Sequence, residues 1–174
     1  MTAVQILQAS SGIRVRQMSR SDWSSVERIY AAGILGGNAT FDATTPTEDD
    51  FYSRRIPGLS LVAEDDGGIM GWAAAAPTSS RPVYSGVVDY SVYVDIESSG
   101  RGVARALLEA LCACARDLGY WSIQASVFPE NAGSIALHHK AGFREVGRME
   151  RIALMNHGPF AGQWRDTVIF QKRL

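Results

Sequence analysis

The stretch Val92-Tyr-Val-Asp-Ile-Glu-Ser-Ser-Gly-Arg-Gly-Val-Ala-Arg-Ala-Leu-Leu108 decides how the chain is read. Its first residues belong to a β-branched and aromatic run over 87–95 that predicts a strand, and its last residues open the most regular helical pattern in the chain. Val103, Leu107, Ala110, Leu111, Cys114 and Leu118 recur at helical spacing opposite Arg101, Arg105, Glu109 and Arg116, and Gly119 supplies a stop. Between strand and helix stands Ser99-Gly-Arg-Gly-Val-Ala104. A helix start leaves backbone N–H groups without intrahelical acceptors, and its dipole favours negative charge, so small residues there let an anion such as a pyrophosphate approach. Glycine turns of this kind also serve as plain connectors. This one is neither the Gly-Lys-Ser/Thr phosphate loop nor the three-glycine dinucleotide fingerprint.

Working outward, residues 13–18 alternate as a half-buried strand. Ser19-Arg-Ser-Asp22 reads as a capping box opening a helix to about Leu35, with Trp23, Val26, Ile29 and Tyr30 on its buried stripe. Gly36 and Gly37 end it. A loop runs to Pro46, and Thr47-Glu-Asp-Asp50 starts a second helix that stops near Pro57. Strands follow over 59–64 and 69–76, joined through Asp65-Asp-Gly-Gly68. Beyond the central helix come a strand over 121–128, a helix over 131–141 closed by Gly142, and strands over 143–154 and 164–171. The order β-α-α-β-β-β-α-β-α-β-β predicts an α+β (mixed α/β) sheet of about seven strands flanked by about four helices. Residues 1–12 read as a tail and 13–174 as a single domain.

At 174 residues, with 46% hydrophobic and 20% charged residues, the chain has the composition of one soluble globular domain rather than a disordered or fibrous one. Seventeen basic residues against eighteen acidic ones give a net charge of −1, so no general attraction to nucleic acid or an anionic membrane is expected. Cys112 and Cys114, two apart on a helix, point to nearly opposite faces and cannot pair. Unpaired thiols suit a reducing cytoplasm, and no His or Cys cluster has metal-ligand spacing. The longest apolar run, near 69–77, is too short to span a bilayer.

The opening stretch, followed by Asn131-Ala-Gly-Ser-Ile-Ala-Leu-His-His-Lys-Ala-Gly-Phe143, resembles the acetyl-CoA signature of the GNAT acetyltransferase superfamily. Asn38-Ala-Thr-Phe-Asp42, Arg81-Pro-Val-Tyr84, Asp89-Tyr-Ser-Val-Tyr-Val94 and Gly162-Gln-Trp-Arg-Asp166 are similar to its phosphinothricin and methionine-sulfoximine N-acetyltransferase branch. The resemblance covers almost the whole chain from Ile13 to Leu174. It implies a GNAT-like, mostly antiparallel central sheet, acetyl-CoA as co-substrate without a metal, and a small-molecule primary amine as acceptor, attacked directly in a ternary complex. It also implies a homodimer. Apolar residues of the last strands (Ile152, Leu154, Val168, Ile169 and Phe170) suit either a core or an interface.

Residue by residue, the resemblance implies that the amides of Gly100, Arg101, Gly102, Val103, Ala104 and Arg105 hold the CoA pyrophosphate. A main-chain N–H of Val92, Tyr93 or Val94 would serve the thioester oxygen, and Asn131 and Ser134 would line the pantetheine arm, with Asn131 equally suited to cap its helix. Asp89 stands where the branch has a glutamate base, one methylene shorter, and is read as the base that deprotonates the acceptor ammonium, directly or through water; the other reading is a strand-end carboxylate paired with Arg81. His138 lies on the same helical face as Asn131 and Ser134 and is read as the donor to the departing thiolate, or as a buried structural histidine. Arg81 and Tyr84 match positions facing the acceptor, where a planar guanidinium would suit a carboxylate or phosphinate, and Phe41 would wall the same pocket. Strand alternation places Asp89, Ser91 and Tyr93 on one face and Tyr90, Val92 and Val94 on the other, unless a bulge intervenes.

Three departures from the family pattern bear on the acceptor. Ser99 replaces the usual Arg or Gln, Asp89 replaces Glu, and residues 155–161 read as a longer connection near the acceptor pocket. Two other readings stay open: a GNAT enzyme for a protein N-terminus, a lysine or an antibiotic amine, and a non-catalytic acyl-CoA-binding module.

Overall fold

The computed structural model describes Leu7–Gln8 and residues 12–174. Its strands are β1 (Leu7–Gln8), β2 (Arg14–Gln17), β3 (Ser60–Asp65), β4 (Gly68–Pro77), β5 (Val87–Val94), β6 (Ser122–Val127), β7 (Arg144–Leu154) and β8 (Trp164–Arg173). The helices are α1 (Trp23–Leu35), α2 (Glu48–Ser53), α3 (Val103–Asp117) and α4 (Ala132–Lys140). One sheet runs in the order β1-β2-β3-β4-β5-β6-β8-β7, and only β5 and β6 pair in parallel. The seven expected strands are all present. The eighth, β1, pairs Leu7 with Val15 and Gln8 with Arg14 inside the stretch read as a tail, whose residues 1–6 and 9–11 lie outside the described residues.

Two cores flank the sheet. On one face α3 buries Val103, Leu107, Leu108, Leu111 and Ala115 against Leu61, Ala73, Val88, Ile123 and Phe170. On the other, α1 sets Val26, Ile29 and Tyr30 against Val62, Trp72 and Tyr93, with Phe51 of α2 closing the layer. Trp72 and Tyr93 stack at 4.7 Å, and Tyr30 meets Tyr93 at 4.8 Å. The buried face of α3 is rotated from the expected stripe: Leu118, just past the helix end, is 54% exposed, while Leu108, Cys112 and Ala115 are buried. Burial pushes both thiols above the ordinary cysteine value, so neither is an activated nucleophile.

Ser19 and Asp22 form the expected capping box, and Arg16 reaches over it to pair with both Asp22 and Glu64. Val168 and Phe170 belong to the core, whereas Ile152 and Leu154 on the edge strand β7 are exposed. The β7–β8 register shifts between Met149 and Ala153, where Arg151 has φ 48° and its N–H donates to Asp166.

Candidate active site

The sheet splits at its centre. β5 and β6 pair through Val87↔Ser122, Val88↔Ile123 and Asp89↔Gln124 and no further, while β6 continues along β8 from Ser122 to Val127. Beyond Asp89, the β6-facing backbone groups of 90–94 therefore have no strand partner, and a backbone polar group in such a cleft calls for one. The β4–β5 register runs unbroken from Pro77↔Val88 to Gly71↔Val94, so no bulge disturbs the alternation. Tyr90, Val92 and Val94 pack on the α3 side and Tyr93 on the α1 side, as expected.

Two cavities open along this split. One, of about 90 Å³, is lined by Asn38, residues 90–93 of β5, Val127, Phe128, Asn131, Ser134 and His138. The other, of about 300 Å³, lies on the α1 side and includes Tyr30, Phe41, Asp42, Arg55, Asp89, Ser91, Phe128 and Thr167. Asp89 and Phe41 thus meet in one chamber, with Phe41 set edge-on against Phe128 at 4.8 Å. Asp89 has no ion-pair partner among the described residues; Gln124 Nε2 approaches its carboxylate at 3.4 Å. Burial raises its pKa above the ordinary aspartate value, which makes it a better base.

Asn131 caps α4: its side-chain oxygen accepts from the Ser134 N–H and its Nδ2 donates to the Asn38 carbonyl. His138 is 1% exposed. Its Nδ1 lies 2.6 Å from the Ser134 carbonyl, which can only accept, so Nδ1 carries the proton. Nε2 then accepts from the Tyr90 hydroxyl at 2.5 Å. Burial lowers the His138 pKa and raises that of Tyr90 well above the ordinary value, so the pair holds a neutral imidazole and a protonated phenol. The proton nearest His138 Nε2 is therefore the hydroxyl proton of Tyr90.

At the end of β5 the chain turns through Ile96–Ser98 and Gly100 into α3. Gly100 (φ 77°) and Gly102 (φ 86°) both adopt left-handed backbone, and no side chain caps the helix. No atom lies within 4 Å of where a Cβ would stand at either, so the space over the free amides of 102–105 is open. The side chains of Arg101 and Arg105 are engaged with Asp65 and Glu109. Here it is the backbone, rather than basic side chains, that is left free to meet an anion.

Arg81 and Tyr84 are exposed in the 3-10 turn before β5, with the Arg81 guanidinium 5.5 Å from the Tyr84 ring. Neither lines a described cavity, and Arg81 is not paired with Asp89. Residues 155–161 fold over the loop after α1: Pro159 lies against Gly37, and Phe160 covers Arg165. Arg165, buried in β8, was not singled out in the sequence. It bonds the Gly37 carbonyl and Asn38 Oδ1, pairs with Glu130, and lies 4.0 Å from the Phe128 ring. An arginine facing inward from an alternating strand was the available signal; Arg55 and Tyr90 left none.

The split sheet and uncapped helix start agree with the comparisons. The pattern of the acetyltransferase (GNAT) family matches residues 22–143. The chain belongs to the GNAT acetyltransferase family. This GNAT protein is 30% identical to a phosphinothricin N-acetyltransferase of Alcaligenes faecalis over 92% of its own length and 82% of that protein. It is 34% identical to an L-methionine sulfoximine/L-methionine sulfone acetyltransferase of Pseudomonas aeruginosa, over 92% of this chain and 94% of that one. A crystal structure of a phosphinothricin acetyltransferase from Sinorhizobium meliloti in complex with acetyl-CoA superposes with a TM-score of 0.83 at 31% identity, covering 94% of this chain and 89% of that one. The protein is a GNAT-family N-acetyltransferase. Among the described residues, no helix is long and apolar enough to cross a membrane, and no group of three or more His, Cys, Asp or Glu could hold a metal ion.

Proposed function

We propose that this GNAT enzyme transfers acetyl from acetyl-CoA to the primary amine of a small amino-acid-like molecule of the phosphinothricin or methionine sulfoximine/sulfone type, by direct attack in a ternary complex. The observation that carries the reading is the placement of Asp89: a half-buried carboxylate without a cationic partner among the described residues, in a chamber of about 300 Å³ beside the unpaired edge of β5. That volume suits an amino acid; a protein N-terminus or lysine side chain would call for an open, peptide-sized groove.

Acetyl-CoA supplies an activated acetyl group. The free amides at the start of α3 would hold its pyrophosphate, and the main-chain N–H of Val92 or Val94, which face the split, would serve the thioester oxygen, whereas that of Tyr93 points into the β4 ladder. Asn131 and Ser134 line the adjoining cleft and would border the pantetheine arm. Asp89 takes a proton from the acceptor ammonium, leaving the amine lone pair free. His138, with its Nδ1 proton on the Ser134 carbonyl and its Nε2 accepting from the Tyr90 hydroxyl, positions Tyr90 and directs no proton at the sulfur; the departing thiolate takes the proton that the acceptor nitrogen sheds as the tetrahedral adduct collapses. Phe41 walls the acceptor side.

A thiol-release assay tests the proposal with phosphinothricin, methionine sulfoximine, methionine sulfone, common amino acids, a peptide, a polyamine and an aminoglycoside. Turnover on the amino-acid-like amines is expected. Turnover confined to the peptide or antibiotic would overturn the acceptor, and tight CoA binding with no turnover on any amine would leave a binding module. The expected homodimer would cover exposed apolar residues of the β7 edge such as Ile152 and Leu154, and sedimentation velocity distinguishes it from a monomer.

A further inference from the structure

The chamber that holds Asp89 also holds an unmatched positive charge. Arg55 follows α2 and is anchored by its neighbours: its own N–H donates to the Tyr52 carbonyl, and the Ile56 N–H donates to the Ala75 carbonyl in β4. Its guanidinium lies 5.0 Å from the Phe51 ring. Among the described residues it makes no ion pair and no side-chain hydrogen bond, and its Nε is buried without a partner. Burial pulls its proton affinity below the ordinary arginine value, a sign that the charge sits where water is scarce. A guanidinium half-buried against aromatic rings and lacking acceptors is costly until an anion meets it.

The surrounding charges do not meet that need. Asp42 faces the same chamber, but it is occupied by the hydroxyls of Tyr30 and Thr40 and lies outside ion-pair distance of Arg55. Arg55 also borders an adjoining cavity of about 280 Å³ whose other charged residues are Asp42, Asp50 and Arg54. Asp89, in the Arg55 chamber, has no cation of its own. One chamber thus carries an unpaired base and an unpaired guanidinium, complementary to a molecule bearing both an ammonium and an oxyanion. Arg81, the arginine that the sequence pointed to, stands exposed over Tyr84 and lines none of these cavities.

Resting on the N-acetyltransferase reading, we infer that Arg55 is the residue that binds the carboxylate or phosphinate of the acceptor while Asp89 receives its ammonium. The planar fork of arginine matches a two-oxygen anion, and a charge-assisted contact of that kind accounts for roughly 10- to 100-fold in affinity. The enzyme then selects free amino acids over their amides because the amide leaves the guanidinium unmet.

The test compares kcat/KM for methionine sulfone and for its carboxamide in the wild type, Arg55→Met, Arg55→Lys and Arg81→Ala, with the acetyl-CoA Kd of each as a check on folding. The wild type should prefer the acid by about 10- to 100-fold. Arg55→Met, which keeps the stem over Phe51, should erase that preference mainly through the KM of the acid, with the acetyl-CoA Kd unchanged. Should Arg55→Met lose acetyl-CoA binding, Arg55→Lys is read instead, with an expected preference between those of the wild type and a fully lost one. A preference that survives both Arg55 variants, or one lost in Arg81→Ala alone, overturns the assignment while leaving the acetyltransferase intact. A wild type that acetylates peptides or antibiotics but no amino acid overturns the acceptor reading itself, and the Arg55 assignment with it.

Discussion

Replacing Arg165 by methionine should reveal how the mouth of the site is held. The side chain is 2% exposed and donates to the Gly37 carbonyl at 3.1 Å and to Asn38 Oδ1 at 2.7 Å. It is also flanked by the rings of Phe128 and Phe160 at 4.0 and 4.3 Å. Its ion pair with Glu130 counts for little, because that carboxylate is 54% exposed and screened. Methionine fills the space between the rings but leaves two sheltered acceptors without a donor, each worth about 1–3 kcal/mol, and forfeits cation–π attraction of about 1–2 kcal/mol. These contributions are not additive, and together they amount to about 3–5 kcal/mol. For a chain of this size that is a fall in Tm of roughly 6–20 °C. Because Asn38 also anchors Asn131 through its carbonyl, the acetyl-CoA Kd should rise in the same variant. Scanning calorimetry with and without acetyl-CoA reads both. A Tm within about 3 °C of the wild type would refute the argument that these contacts tie β8 to the loop after α1.

Asp89→Asn should cut kcat by roughly 100-fold or more with little change in acetyl-CoA affinity, as the loss of a general base does. Burial raises the Asp89 pKa, so its ionisation opposes folding as pH rises through the window above 3.8; the same variant should be more heat-stable than the wild type at pH 7, with the difference vanishing well below pH 3.8, where the side chain is protonated in both states. His138 has the opposite sign: burial lowers its pKa from 6.5, so its contribution to stability is complete above that pH and is lost as pH falls through the folded value. The acid-side slope of Tm should flatten in His138→Gln, and an unchanged slope would mean the imidazole is not buried neutral. Gly102→Ala meets no neighbouring atom but forces a Cβ into left-handed backbone, so it should cost about 1–2 kcal/mol and raise the KM for acetyl-CoA; an unaltered KM would count against the backbone cradle.

Elements defined by local chemistry were legible from the residues alone. The capping box at Ser19 and Asp22, the Thr47 cap of α2, the Asn131 cap of α4 and the glycine turn into α3 each rest on a few neighbouring residues whose backbone groups must be satisfied on the spot. Alternation in β5 was equally legible, because the pleat has a period of two and no bulge interrupts its pairing with β4. The site was legible in part. Asp89 and Phe41 do share a chamber, but Arg81 and Tyr84 do not join them, since a turn of exposed residues before β5 carries no local signal of where its side chains point.

The sequence by itself determined the order and ends of the main elements, the glycine approach to the α3 amides and the family to which the chain belongs, because those depend on residues near one another along the chain. Only the tertiary structure decided which charges go unmatched. Arg55 and Asp89 lie on separate segments, and so do Tyr90 and His138, and Arg165 and Asn38. Whether a buried polar group finds a partner depends on what the sheet and helices bring beside it, and that is set by long-range packing rather than by any spacing in the sequence.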